Sequence, residues 1–459
     1  MKSELRGAFR LPIKIKFKYN MLGPGQDENI TYAALTKNIS CNGLLFENTK
    51  EIPLDTQLKI VLTVPASPVK TVEAEGRVTR IEKLSVDSFD IGITFVNLSE
   101  TAREEINKRI ERMDIMKLLE KLNKREVSDL HLTVDSPPMV RHYGEIEPMG
   151  HDSLSAEEIQ QIVYSILSEE QKNFFESNKD LDFALSPFSG SRYRVSIYQQ
   201  RGFCEVVFRN IPPNIKSREQ LGLSDVIEDL CRLRSGLVFI SGPTGSGKTT
   251  TITTMIDIIN KERKGVILSL EKPIEYLHQN IKGIVKQREV GVDVATFASG
   301  LKASLRQDAD VIVVGEVLDS DTVETALQAA ETGHLVITSL HATDTVQVFD
   351  RLLSLFPLQQ RELICSRLSH SIQAVIAQKL LPLKDGFGRI VATEVCIANT
   401  AVKRIIHSGE FTQLVSVMQT GSKFKMHLMR DSIDKLFEQN LIGAETYEMY
   451  TKDAGGITR

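Results

Sequence analysis

Between Lys14 and Val96 apolar and polar residues change places over short distances. Leu58-Lys59-Ile60-Val61-Leu62 and Ile91-Gly92-Ile93-Thr94-Phe95 have the β-branched and aromatic content of strands, and Gly23-Pro24-Gly25 and Pro53 punctuate the run. A small, mainly β domain is expected over residues 1–100. The period then changes: Ile106, Ile110, Met113 and Leu122 fall near helical spacing among the charges of Glu104 to Lys124, so 101–125 reads as a helical linker. Residues 126–216 mix the two patterns. Ser155-Ala156-Glu157-Glu158 forms a capping box ahead of Ile159, Ile162, Val163 and Ile166, and strand-like segments follow at Arg192 to Tyr198 and Glu205 to Arg209. Ile211-Pro212-Pro213 and the polar stretch from Lys216 to Glu219 mark a hinge. From 217 to 459 strands and helices alternate, the pattern of a parallel sheet with helices on both faces.

A chain of 459 residues is too long for one ordinary core, in keeping with several domains. Hydrophobic residues at 41% and charged residues at 25% are ordinary for globular proteins and exclude a disordered chain. The longest apolar stretches, such as Val311 to Val314, are far short of the roughly 20 residues of a spanning helix. The N-terminal Lys14-Ile15-Lys16-Phe17-Lys18-Tyr19 alternates and lacks the apolar segment of an export signal, so a cytoplasmic location is expected. Cys41, Cys204, Cys231, Cys365 and Cys396 show no close pair, which argues against disulfides or a Cys-rich zinc module. A net charge of -4 exerts no global pull on nucleic acid. The charge that matters is local: Lys2, Arg6, Arg10, Lys14, Lys16 and Lys18 crowd the first 18 residues against the single acid Glu4, a surface suited to phosphate.

The most specific chemistry lies at Gly242-Pro243-Thr244-Gly245-Ser246-Gly247-Lys248-Thr249-Thr250, after the strand-like Gly236 to Ile240 and at the opening of a helix-forming stretch. Glycines let backbone N–H groups turn inward around phosphate, and the helix N-terminus adds positive potential. Lys248 is the expected counter-charge to the β- and γ-phosphates, and Thr249 the hydroxyl that reaches Mg²⁺. Two acidic elements follow. Glu271-Lys272-Pro273-Ile274-Glu275 comes after Val266-Ile267-Leu268, and Asp310-Val311-Ile312-Val313-Val314-Gly315-Glu316 ends a buried-strand run. A carboxylate at such a strand tip can orient an attacking water or hold Mg²⁺ through water.

Together with Glu331-Thr332-Gly333-His334-Leu335 and Leu340-His341-Ala342-Thr343, these elements resemble the Walker A, Asp box, Walker B and His box of the secretion-superfamily ATPases. Ser128-Asp129-Leu130-His131, Pro137-Pro138-Met139 and Arg192-Tyr193-Arg194-Val195 look like that family's N-terminal domain, so the resemblance spans roughly 115–459. It implies a PAS-like α/β domain over 126–216 and a RecA-like P-loop ATPase core with C-terminal helices over 217–459, hydrolysing ATP with Mg²⁺. By the match Glu275 is the catalytic glutamate, Glu316 the Walker B glutamate and a metal-site acid with Thr249, and His334 and His341 are the His-box residues. Arg192, Arg194 and Arg201 lie where the family carries arginines that reach the γ-phosphate. The implied assembly is a homohexameric ring that meets an inner-membrane pilus platform protein and other pilus machinery, peripheral to the membrane through these partners.

Within the superfamily, assembly and type II secretion ATPases carry a four-cysteine zinc insertion after the His box. The corresponding Gln378 to Gly386 has none, and Ala401 to Glu410 resembles the C-terminal motif of type IV pilus retraction ATPases, with Lys403 for its arginine. Two positions depart from the pattern. Lys272 stands where the Asp box has aspartate, and Leu318 where arginine follows the Walker B glutamate. If they face one another, Lys272 pairs with Glu316 or Asp319. A weakly active paralogue that depends on a more active ATPase, or that serves as a scaffold, is the alternative, as is an assembly or type II secretion ATPase.

The N-terminal stretch holds a second resemblance. Arg6-Gly7-Ala8-Phe9-Arg10 and Asn38-Ile39-Ser40-Cys41-Asn42-Gly43 are similar to the paired motifs of PilZ domains, small β-barrels that bind cyclic di-GMP. The resemblance implies binding by Arg6, Arg10, Asn38 and Ser40, with Gly43 giving close approach. Cyclic di-GMP is thus the expected regulatory ligand.

Overall fold

The computed structural model describes residues 15–22, 30–64, 70–123, 127–142, 145–150, 152–188, 190–386 and 388–454. Arg6 and Arg10 lie outside them. The chain divides into two compact units, one ending at Ile211 and the other beginning at Pro212.

The first unit opens with six antiparallel strands, β1 (Lys16–Leu22), β2 (Tyr32–Ser40), β3 (Gly43–Asn48), β4 (Gln57–Val64), β5 (Lys70–Ser85) and β6 (Ser88–Asn97). They close into a barrel in the order β1-β2-β3-β6-β5-β4, sealed by β1 pairing with β4. Alternation decides the register. Phe17 and Tyr19 point inward beside Phe46, Ile60 and Ile93, while Lys16 and Lys18 face out.

The predicted linker is two helices, α1 (Glu100–Met113) and α2 (Ile115–Asn123), divided at Asp114. The Asp114 carboxylate accepts the backbone N–H groups of Met116 and Lys117 at 3.0 and 3.3 Å, so a side chain that caps a helix start cuts the continuous apolar period. Ile106, Met113, Leu118, Leu119 and Leu122 are buried in the core that continues from the barrel into the next sheet. That sheet comprises β7 (Val127–Leu132), β8 (Met139–His142) and β9 (Glu145–Pro148), then α3 (Ala156–Tyr164), α4 (Glu169–Asn178), β10 (Asp180–Leu185), β11 (Arg192–Gln200) and β12 (Phe203–Ile211). Its order is β10-β11-β12-β7-β8-β9. Buried Tyr193 donates its hydroxyl to Leu119 O at 3.0 Å, fastening α2 to β11. The box before α3 forms as read: Ser155 Oγ accepts Glu158 N–H, and Ser155 N–H donates to the Glu158 carboxylate.

The second unit begins with the short helices α5 (Arg218–Leu221) and α6 (Val226–Cys231). There follow β13 (Gly236–Ser241), α7 (Lys248–Glu262), β14 (Val266–Glu271), β15 (Ile284–Glu289), α8 (Phe297–Ser304), β16 (Val311–Val314), α9 (Ser320–Glu331), β17 (Leu335–Leu340), α10 (Thr345–Ser354) and α11 (Leu358–Ser371). A hairpin of β18 (Ile372–Pro382) and β19 (Arg389–Ile397) leads to α12 (Thr400–Ser408), α13 (Leu414–Thr420), α14 (Met429–Glu438) and α15 (Ala444–Ala454). The sheet order is β15-β14-β16-β17-β13-β18-β19, parallel except for β19. Strands β13, β16 and β17 are buried along their whole length, which explains the apolar runs Leu237 to Ile240 and Val311 to Val314.

Candidate functional site

Parallel registers bring the tips of four strands to one edge of the second unit's sheet. Ser241 of β13 lies beside Leu340 of β17, Val314 of β16 beside Thr338, and Leu270 of β14 beside Val314. The segments that follow these tips, Gly242–Thr249, His341, Gly315–Glu316 and Glu271–Glu275, therefore share that edge, the usual place for ligands in such sheets.

The Gly-rich turn has the backbone that phosphate needs. Gly242, Gly245 and Gly247 adopt φ of +149°, +79° and +89°, and a Cβ on Gly242 would stand 2.4 Å from both Gln378 O and Ser246 Oγ. α7 starts at Lys248, its first turn open to an anion. Lys248 Nζ donates to Gly242 O at 2.8 Å and Pro243 O at 3.0 Å, and lies 3.2 Å from His341 Nδ1. An ammonium has no lone pair to offer, so Nδ1 accepts and Nε2 carries the proton, facing Glu316 Oε2 at 3.6 Å. Burial depresses the Lys248 pKa, opposed by the Glu316 charge. His341 is also pushed down, first by burial and then by Lys248, which keeps it the neutral bridge between the lysine and Glu316. Arg351 Nη1 fixes the strand end by donating to His341 O at 2.6 Å. Thr249 is exposed beside the loop, and the Tyr276 hydroxyl comes up to Thr250, bringing the segment of Glu275 against α7.

Three further positions have surroundings of their own. His334 and His341 flank opposite ends of β17, about 20 Å apart at the rise of a strand. His334 is not brought to the phosphate loop: its Nδ1 is 2.9 Å from Ala329 O and 3.2 Å from Thr332 Oγ1, at the end of α9. Lys272 forms no ion pair with Glu316 or Asp319 among the described residues. It is exposed, and Asp319 instead caps α9 by accepting Thr322 N–H at 2.7 Å. At Gly43 a Cβ would meet Ile93 O of β6 at 2.0 Å, so barrel closure itself calls for glycine there.

The remaining predicted residues lie in the first unit. Arg192 and Arg194 project two apart from the same face of β11, contacting Ser186 Oγ at 3.0 Å and Asp182 Oδ2 at 3.5 Å, and Arg201 is exposed in the β11–β12 turn at φ +52°. Ser40 Oγ is spent on its own turn, donating to Gly43 O and accepting Asn42 N–H, each at 3.3 Å. Asn38 Oδ1 is buried and has no hydrogen-bond partner among the described residues. A groove of about 690 Å³ on the barrel is lined by Lys16, Lys18, Thr36, Lys37, Glu47 and Thr63, separate from the Asn38–Gly43 turn, and Lys37 is already paired with Asp90 and Glu47.

Gln378 escaped sequence reasoning. Buried in β18, it accepts Thr251 Oγ1–H at 3.0 Å and donates to Ser246 O at 2.7 Å, clamping the phosphate loop to α7. The available signal was an amide directly after the apolar run Ala374 to Ala377, where a polar group is kept only with partners. Gln287 and Glu289 on β15 were missed for the opposite reason, since polar residues on an edge strand attract no notice.

The doubly covered parallel sheet with a glycine loop, lysine and strand-tip acids at its C-terminal edge defines a P-loop nucleotide hydrolase. Comparisons narrow the class. Residues 204–440 match the Type II/IV secretion system protein family, and residues 4–112 match the PilZ domain. The chain is 39% identical over 308 residues to the twitching motility protein of Neisseria gonorrhoeae, covering 67% of this chain and 82% of that one. It is 37% identical over 333 residues to the type IV pilus retractation ATPase PilT of Pseudomonas aeruginosa, covering 72% and 96%. The crystal structure of the pilus retraction motor PilT with bound ADP superposes with a TM-score of 0.68 at 39% identity, covering 75% of this chain and 98% of that one. This chain belongs to the Type II/IV secretion system protein family, as an ATPase of the type IV pilus and secretion group carrying an N-terminal PilZ domain.

Proposed function

We propose that the chain is a retraction-type motor of a type IV pilus, working as a homohexamer and regulated by cyclic di-GMP. The observation that carries the motor reading is the Lys248–His341–Glu316 chain at the phosphate loop, which links the expected phosphate counter-charge to the Walker B acid through one neutral imidazole. Thr249 and Glu316 are a hard-oxygen pair suited to Mg²⁺, which takes one or two protein ligands and completes its shell with phosphate oxygens and water. That ion would neutralise charge on the terminal phosphates. Lys248 binds the β- and γ-phosphates, and Glu275 orients the attacking water or takes its proton. A cavity of about 690 Å³ beside Gly247 and Thr250, bounded by Lys216, Leu221, Tyr276 and Arg389, has room for the nucleoside end of ATP.

Retraction is favoured over assembly because β18 and β19 are joined by a short turn containing no cysteine, where the assembly branch has its zinc insertion. Arg192, Arg194 and Arg201 belong to a different unit from the phosphate loop, so arginine contribution across a subunit boundary is the natural use of a ring. Lys248→Ala should abolish nucleotide binding and turnover. Wild-type turnover in both Lys248→Ala and Glu275→Gln would refute the assignment. In cells, deletion should stop pilus retraction while extension continues; the reverse would place the protein in the assembly branch. Nucleotide binding without hydrolysis, even with pilus machinery or a paralogous ATPase present, would favour the scaffold reading that Lys272 and Leu318 raise.

For the barrel, the buried Asn38 Oδ1, with no hydrogen-bond partner among the described residues, supports a ligand at the motif turn. Calorimetry should show cyclic di-GMP binding to wild type and none to Arg6→Ala/Arg10→Ala. If wild type does not bind, the receptor role fails and the motor assignment stands.

A further inference from the structure

The segment carrying Glu275, residues 272–283, has no helix or strand, yet side chains from its neighbours hold its backbone almost residue by residue. Glu289 Oε2 accepts Ile274 N–H at 3.0 Å. The Glu271 carboxylate accepts the N–H of Glu275 itself. Asn260 donates to Gln279 O at 2.7 Å and accepts Ile281 N–H at 3.2 Å. The hub is Gln287 of β15. Its Nε2 donates to Glu271 Oε1 at 3.0 Å and to Tyr276 O at 2.8 Å, and its Oε1 accepts His278 N–H at 2.9 Å.

We propose that Gln287 is a positioning residue for ATP hydrolysis, setting Glu275 against the phosphate loop from both sides. On the C-terminal side it grips Tyr276 and His278 directly; on the N-terminal side it acts through the Glu271 carboxylate that holds the Glu275 amide. The proposal rests on Glu275 being the residue that acts on water.

No other side chain fits this place equally well. Both amide hydrogens and one carbonyl lone pair of Gln287 are in use, so a flipped amide would turn its NH₂ toward the His278 N–H and its oxygen toward a carboxylate and a carbonyl. Glutamate at 287 would set a second carboxylate against Glu271, and asparagine is one methylene too short to span the three contacts. Glu271 raises the stakes. Burial pushes its carboxyl up, against the hydrogen bonds from Ser269 and Gln287 that hold it down. Removing Gln287 therefore favours protonated Glu271, a poorer acceptor for the Glu275 amide. The hydroxyl of Tyr276 meets Thr250 in the first turn of α7, so a shift of this segment is felt next to the residues expected to hold phosphate and Mg²⁺.

A misplacement near 1 Å at a reacting group costs up to about 100-fold in rate. In the full-length protein, Gln287→Met, which keeps length and removes all three hydrogen bonds, should lower kcat about 10- to 100-fold and leave the KM for ATP and the Kd for ADP within about threefold. The deciding measurement is the double variant. In a Glu275→Gln background the same substitution should lower kcat less than about twofold, because a residue that acts through Glu275 has nothing left to position. Wild-type kcat in Gln287→Met overturns the proposal, as does an undiminished loss in the Glu275→Gln background. A fall in kcat matched by loss of ADP affinity and of thermal stability overturns it too, in favour of a purely structural part. If Glu275→Gln alone keeps wild-type kcat, the error lies in the assignment of Glu275, and the proposal falls with it.

Discussion

Gln378→Met keeps a side chain of similar length in β18 and deletes both hydrogen bonds by which that strand holds the phosphate loop. The Ser246 carbonyl, in an enclosed turn, loses its 2.7 Å donor, and Thr251 Oγ1 loses its 3.0 Å acceptor. Each buried polar group left unmatched costs about 1–3 kcal/mol. The threonine hydroxyl can turn to a carbonyl of its own helix and recover part of this, so the total is about 2–4 kcal/mol. In a unit of this size about 1 kcal/mol moves the melting temperature by about 2–4 °C, which gives a fall of about 4–16 °C. Nucleotide affinity should fall as well, because the freed carbonyl belongs to the turn that presents the backbone N–H groups to phosphate. The assay is thermal unfolding with and without ADP, together with ADP titration. A melting temperature within about 1 °C of wild type and unchanged ADP affinity would refute the view that this amide organises the loop.

Glu394 accepts Thr345 N–H at 2.8 Å and Met429 N–H at 3.4 Å, so one buried carboxylate serves the first turns of α10 and α14; Glu394→Ala should cost about 2–4 kcal/mol at about 1–2 kcal/mol per cap. Denaturant titration checks this, and a loss under about 0.5 kcal/mol would contradict it. Burial lowers the His278 pKa from 6.5 to about 4, so the folded protein favours its neutral form. The corresponding stability is present above pH 6.5 and is lost as pH falls toward about 4; His278→Asn should flatten the melting-temperature profile across that window, and a parallel profile would refute this. Mixing Arg194→Ala chains with Lys248→Ala chains should restore part of the turnover if the arginine acts across subunits; no restoration in verified mixed rings would remove that role.

The order of domains and the chemistry of the phosphate loop were legible along the chain, because each rests on local pattern. β-Branched and aromatic content marked the barrel strands, apolar runs marked β13 and β16, and the glycines, Lys248 and Thr249 are contiguous. Glu316 was found by the same logic, as an acid just past the tip of a buried strand, whereas His341 came only with the family resemblance. What the tertiary structure decided is which of these residues meet. His334 and His341 look equivalent in sequence, but a strand of six residues carries them to opposite edges of the sheet, and only His341 reaches Lys248. The stretch from Glu104 to Lys124 is rich in charge, yet Ile106, Met113, Leu118, Leu119 and Leu122 are part of the core shared with the barrel and the next sheet. Gln378 and Gln287 carry no signature of their own. An amide matters through the groups around it, and those come from segments up to 132 residues away that only the folded sheet brings within hydrogen-bonding distance.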